Sequence, residues 1–201
     1  VLYQAAEDKA YKIIGVWENG FRQITNNVRP IVVPADLEGV KLRTPNGIWR
    51  VEMFKSYGAN PAPMALSEAF VALQTGAMDG QENPLVQIYS QRFHEVQDYL
   101  SITNHVYTPA YVLAGARWNR LPEEVRNVLI ETAEEVEAFA LQQGEMLDNS
   151  LVEKMKAEGM QVNKADQKAF VAGSDAIYAK FADEVEGGKK MLDKVSQLRK
   201  Q

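Results

Sequence analysis

From Leu121-Pro122 onward about 35 residues read as one continuous helix, and any fold for this chain must make room for it. The segment "PEEVRNVLIETAEEVEAFALQQGEMLDNSLVEKMKAEG" sets Val125, Val128, Leu129, Thr132, Val136, Phe139 and Ala140 at helical spacing. Pro122 suits the first turn, and the acidic residues after it complement the helix dipole. A bend is expected near Gly144 and an end at Gly159. "MQVN" then reads as a strand, and two closing helices follow, broken at "EGGKK" (Glu186 to Lys190).

The residues ahead of that helix have a different texture. The chain opens with "VLYQAAEDKA" leading into a strand-like run, "YKIIGVW" (Tyr11 to Trp17), and Asn19-Gly20 signals a turn. "FRQITNN" and "VKLRTPN" read as short strands, joined by "RPIVVPADLEG", whose prolines favour extended backbone. A helix is expected from Asn46, with Ile48, Val51, Met53 and Phe54 as its apolar face, up to Tyr57-Gly58. "NPAPM" is extended. Ser67 is the expected N-cap of the helix "EAFVALQT", and Gly76 fits the position just past its end, where positive φ is needed. "MDGQE" reads as a strand ending at Pro84, so strand, helix and strand form a βαβ unit with parallel pairing. "VQDYLSITNHVY" and "AYVLAGARW" are strand-like. The pattern is α/β. Sheets of that kind hold ligands beyond the carboxyl ends of their strands, which directs attention to Asn46 and Asn83.

Composition narrows the chemistry. The net charge is −5 with scattered positive residues, which lacks the basic stripe of a nucleic-acid binder. No cysteine is present, so thiolate chemistry and disulfides are excluded. No run of about 18 apolar residues occurs. Two histidines, His94 and His105, are too few for a zinc site without cysteine, and His105 is expected to be a strand-end hydrogen bonder. Gly-x-Ser-x-Gly, Walker A and dinucleotide glycine patterns are missing. Asp79 and Glu82 could serve as an acid/base pair of a hydrolase, but three residues apart on a strand they point to opposite faces, and Asp-Gly is an ordinary turn dipeptide. They read as turn and framework groups. No enzyme activity, cofactor or metal is expected.

Arg22 and Arg43 are the candidates for binding. Each lies in a β-type run between residues that look buried, just ahead of a helix start or turn. A guanidinium presents a planar fork to a carboxylate, and a charge-assisted bond of that kind contributes roughly 1.5–3 kcal/mol. Asn83 carries an amide able to donate to and accept from a bound acid. Trp17, Trp49 and Trp118 read as packing residues, with Trp49 placed to line a pocket wall as well.

Taken together, "GFRQITNNVRPI", "ADLEGVKLRTPN", "YGANPAPMALSEAFVALQTGAMDGQENP" and "HEVQDYLSITNH" closely resemble the DctP-type solute-binding proteins of TRAP transporters, and "LPEEVRNVLIETAEE" continues the match. The resemblance covers essentially the whole chain. It implies a periplasmic-binding-protein-like fold of type II, a mixed sheet flanked by helices with the long helix bracing two lobes. It further implies a periplasmic protein, monomeric, that captures an organic acid and hands it to a membrane permease pair driven by a sodium gradient. On the residues, it implies a carboxylate salt bridge at Arg43, with Arg22 and Asn83 lining the same site and Asn46 and Leu66 beside them. An aromatic stands at the Leu66 position in some relatives.

The resemblance reaches only the later part of a full-length member, so the chain is expected to lack an N-terminal part and to carry a half-built site. The second lobe is expected at 20–108 plus 149–201. The remnant of the first lobe and the lobe-spanning helix are expected at 1–19 plus 109–148. A sensor domain of the same fold without a transport role is the alternative. C4-dicarboxylates, α-keto or hydroxy acids, sugar acids and aromatic acids all remain open as ligands.

Overall fold

The computed structural model describes residues 2–198, so expectations that fall on residue 1 or residues 199–201 lie outside the described residues. A short helix, α1 (Leu2–Glu7), precedes the first strand, where the sequence suggested direct entry into a strand. That strand, β1, runs unbroken from Lys12 to Asn26. The expected turn at Asn19-Gly20 is instead a bulge. The pairing register slips between Glu18 and Gly20, and Gly20 takes φ +101°. Glycine at positive φ serves a hairpin and a bulge equally well, and here partners on both halves of the strand keep it running straight on.

Strands β2 (Lys41–Thr44), β3 (Asn60–Pro63) and β4 (Gly80–Pro84) follow, connected by helices α2 (Ile48–Ser56) and α3 (Leu66–Gln74). β2 pairs in parallel with both β3 and β4, as the βαβ reading requires. Gly76 takes φ +72° just beyond α3. The N-cap of α3 is Ala65 rather than Ser67, because the Met64 amide still donates to Thr44 O and the helix begins directly behind that anchor. The Pro34–Leu37 stretch, expected to be extended, makes a 3-10 turn instead. The Asp36 carboxylate accepts from the Val32 and Val33 amides and tightens it.

After α4 (Leu85–Ser90), strand β5 (Tyr99–Ile102) returns beside β1, and β6 (Tyr107–Ala114) pairs with the first half of β1. The long helix is α5 (Glu123–Ala157), 35 residues without a break. Strand β7 (Gln161–Lys164) then joins β5 in parallel. Among the described residues three helices follow, not two: α6 (Gln167–Gly173), α7 (Asp175–Glu184) and α8 (Gly188–Leu198), since the chain re-caps at Ser174 between the first pair. The sheet order is β3-β2-β4-β1-β5-β7, with β6 alongside β1.

Both faces of this mixed sheet are covered. Ile24, Leu42 and Phe54 pack with Ile31, Leu37 and Phe170 on the α2 and α6 side. Leu73, Leu85, Ile88 and Leu100 pack with Leu151 and Met155 of α5 on the other. Only the last part of α5 thus enters that core. Most of its earlier apolar positions, expected to form the buried face, stay open: Val128 is 59% and Phe139 61% exposed, while Val136 and Ala140 are half-buried. Helical periodicity identifies the helix but not which turns find a partner.

The middle of α5 lies close on β1. A Cβ on Gly144 would collide with Glu18 Cγ, and Glu18 Cβ would be 3.2 Å away. Alanine at an open helical glycine adds about 1 kcal/mol of stability, whereas overpacking costs about 1–3 kcal/mol. Gly144→Ala is therefore expected to lower the melting temperature, and a thermal unfolding scan showing a rise would contradict the close approach.

Candidate functional site

The carboxyl ends of β2 and β4 gather most of the polar side chains singled out in the sequence. Arg43 stands on β2 opposite Gln81 of β4 on one side and Ala62 of β3 on the other. It is 2% exposed. Its Nε (3.0 Å) and Nη2 (2.6 Å) both donate to the Met64 carbonyl, at the end of β3 and just ahead of α3. The side of the guanidinium is thereby fixed, while Nη1 has no partner among the described residues. Burial lowers the Arg43 pKa, with Glu82 opposing and Arg22 adding to the shift. A desolvated cation with free N–H groups is an anion receptor in waiting.

Asn83 lies two residues beyond Gln81 on β4, so strand alternation puts both on the Arg43 face. A directed chain of hydrogen bonds fixes its amide. Asn83 Nδ2 donates to Gln81 Oε1 (2.6 Å), Gln81 Nε2 to Thr25 Oγ1 (2.9 Å), and Thr25 Oγ1 to Gln97 Oε1 (3.0 Å). Asn83 Oδ1 accepts from Arg22 Nη2 at 2.9 Å. The second Asn83 N–H has no partner among the described residues.

Arg22 reaches the region from the opposite face of the sheet, and it is anchored there. Nε donates to Glu82 Oε2 (2.5 Å), and Nη2 donates to Glu82 Oε1 (3.0 Å) and the Glu82 carbonyl (2.7 Å). Glu82, 0% exposed, also receives Arg50 Nη1 of α2 (2.6 Å) and His105 Nε2 (3.1 Å) on Oε2. Burial alone would raise the Glu82 pKa. Hydrogen bonds from His105 and Arg22, with their charges, outweigh it and hold the carboxyl down at about 2. Burial pushes the His105 pKa down against the pull of Glu82. The ring bridges two partners, with Nε2 on Glu82 Oε2 and Nδ1 on the Thr103 hydroxyl (2.7 Å).

Asn46 is exposed in the turn between β2 and α2, and Leu66, half-buried, opens α3 next to Met64. Arg43, Asn83 and the Met64–Leu66 corner thus share one end of the sheet, with Asn46 directly after β2. Arg22 touches this group through Asn83. Asp79 is elsewhere: its carboxylate accepts from the Lys41 amide (2.8 Å) and pairs with Lys41 Nζ (3.3 Å) at the start of β2. It therefore does not combine with Glu82. Trp49 stacks edge-on against Phe181, and Trp17 Nε1 donates to the Ala133 carbonyl. Sequence reasoning missed Arg50, Gln81 and the Met64 carbonyl. Arg50 lies on the first turn of a helix facing a strand 32 residues away, and nothing local marks its partner. Among the described residues no cluster of three or more His, Cys, Asp or Glu side chains could hold a metal, and no helix is long and apolar enough to cross a membrane.

Comparison with known proteins places this arrangement. Residues 1–184 match the profile of the bacterial extracellular solute-binding proteins of family 7, named DctP. The 2,3-diketo-L-gulonate-binding periplasmic protein of Escherichia coli K12 is 34% identical, over 98% of this chain and 61% of its own length. The sialic acid-binding periplasmic protein of Vibrio cholerae is 32% identical, over 94% of this chain and 58% of its own. Among solved structures, a TRAP periplasmic solute-binding protein from a Polaromonas species, bound to D-erythronate, has a TM-score of 0.86 at 37% identity, covering 91% of this chain and 61% of that one. One from Chromohalobacter salexigens, with bound D-glucuronate, has a TM-score of 0.93 at 28% identity, covering 98% of this chain and 66% of that one. The chain spans about 60% of the length of the first two relatives. These relatives are periplasmic proteins, and this chain belongs to their family, the DctP-type bacterial extracellular solute-binding proteins of TRAP transport.

Proposed function

We propose that the chain captures an organic acid by its carboxylate at Arg43 and delivers it in the periplasm to a sodium-coupled TRAP membrane permease. The observation that carries this reading is Arg43 itself, buried, turned by the Met64 carbonyl and still holding uncommitted N–H groups. Asn83 adds a donor beside it, Asn46 and Leu66 border the approach, and Arg22 supports the group from the far face. Relatives holding erythronate and glucuronate favour a sugar acid among the possible ligands. The carboxylate would then sit on the guanidinium while hydroxyls meet the amides.

The ligand would be closed in between this face and a second lobe by a hinge motion. Residues 20–108 with 149–201 form the lobe built around Arg43 in this reading. Two features support the division: the β1 bulge at Gly20, and the entry of α5 into the core only from Leu151. The exposed apolar side chains of β6 and early α5, Tyr111, Leu113, Val128 and Phe139 among them, would be covered by the rest of their own lobe.

A thermal-shift screen of the native protein tests the reading, because a ligand that binds the folded state raises its melting temperature by mass action. Uronic and aldonic acids are expected to raise it, by about 2.7 kcal/mol of added stability at a hundredfold excess over Kd, and their uncharged parent sugars are not. Equal shifts from acid and neutral sugar would refute carboxylate recognition.

A further inference from the structure

Where α5 crosses β1, two carboxylates approach the same glycine. A Cβ on Gly20 would lie 3.4 Å from Glu18 Oε1 and 3.7 Å from Asp148 Oδ2. Gly144, one turn before Asp148 on α5, presses its backbone onto the Glu18 stem. The pair borders a cavity of about 190 Å³ with Asn19, Gln87, Gln143 and Leu147, and no Lys, Arg or His is part of its lining. Gln87 Nε2 donates to Asn19 Oδ1 (2.7 Å), whereas the buried Gln87 Oε1 has no hydrogen-bond partner among the described residues. From β6, the Tyr107 hydroxyl donates to Glu18 Oε2 at 2.6 Å.

These groups divide the roles of donor and acceptor. The hydrogen bond to Glu18, then burial and the Glu18 charge, push the Tyr107 pKa up to about 12, so the phenol stays a donor and Glu18 its acceptor. Burial, with the Glu18 charge behind it, pushes the Asp148 pKa up to about 6. A protonated Asp148 is a donor in a cavity that holds a carboxylate and an unpartnered amide oxygen. An ionised Asp148 faces a like charge with no cation in the lining.

We propose that protonated Asp148, beside the Glu18 carboxylate, latches α5 onto the bulge of β1 and releases it when Asp148 loses its proton. The crossing is where the lobes would hinge if the chain works as argued above, so the latch would make closure sensitive to the pH of the compartment. Because the folded state holds the Asp148 proton more tightly than the unfolded chain, the stability it contributes is complete below about pH 4. That contribution is lost as pH rises through about 6.

Hydrogen–deuterium exchange of the ligand-free full chain reads the latch directly. Corrected for intrinsic rates, amides of β1 and α5 around Gly20 and Gly144 are expected to exchange roughly tenfold faster at pH 7.5 than at pH 5. Asp148→Asn should remove that step, and Glu18→Gln should move its midpoint to lower pH. A step that persists in Asp148→Asn, a midpoint unmoved in Glu18→Gln, or no step in the wild type would each overturn the proposal. If Asp148→Asn does not fold, the Glu18→Gln midpoint decides it. No acid ligand is used, so failure here leaves the carboxylate reading standing, and failure of the ligand screen leaves the latch standing.

Discussion

Glu82→Gln is expected to destabilise the protein by about 3–5 kcal/mol, enough to unfold a marginal domain. The carboxylate lies between Arg22 and Arg50 with His105 on the same oxygen; the side chains of Arg22, Glu82 and His105 are buried and that of Arg50 is partly so. A glutamine keeps the shape but leaves two guanidinium groups facing each other with no anion between them. Urea denaturation at pH 7 measures the effect through the midpoint. The acid side gives a second signature. The folded-state pKa of Glu82 is depressed to about 2, so its contribution is complete above the ordinary carboxylate range near 4.5 and is lost as pH falls toward 2. Wild-type protein should lose stability over that window, and the variant should lack that part of the loss. A variant as stable as wild type would show that the network is dispensable.

Arg43→Met is expected to weaken binding of an acid ligand by at least about 30-fold, the scale for removing one partner of a desolvated, hydrogen-bonded charge pair. Its effect on folding should be small by comparison, since among the described residues Met64 O is the only hydrogen-bond acceptor for the guanidinium. Arg43→Lys keeps the charge but cannot hold Met64 O and a carboxylate fork at once, so it should recover only part of the affinity. Calorimetry of both variants with a uronic acid checks this. Undiminished affinity in Arg43→Met would remove the residue from the site.

Much of the framework was legible locally. β2, β3 and β4 are short runs bounded by Pro, Gly and Asn, and Gly76 marks the end of α3 by backbone geometry alone. The length of α5 was legible for the same reason, because caps and periodicity are local properties. What escaped was decided by distant partners. Asn19-Gly20 carries the signature of a turn, and only β4, β5 and β6 pairing with β1 makes it a bulge. The Val125–Ala140 stripe of α5 reads as a core face, yet among the described residues most of it has nothing to pack on.

The site divides along the same line. Arg43 stood out as an arginine in a strand between apolar residues, but its orientation depends on Met64, 21 residues away. Arg22 looked equivalent and is not, because Glu82, 60 residues on, holds it. The acids of "DGQENP" were correctly legible as framework groups. That Glu82 is the centre of a charge network needed the positions of Arg50 and His105.

The most direct measurement is a solution NMR titration that follows the Arg43 guanidinium nitrogens and protons as a carboxylate-labelled sugar acid is added to the native protein. Arg43 Nη1 is expected to shift saturably and become protected from exchange with water, while the Arg43 Nε–H, held by Met64 O, changes little. Saturable binding that leaves Arg43 unmoved while other residues respond would contradict the account.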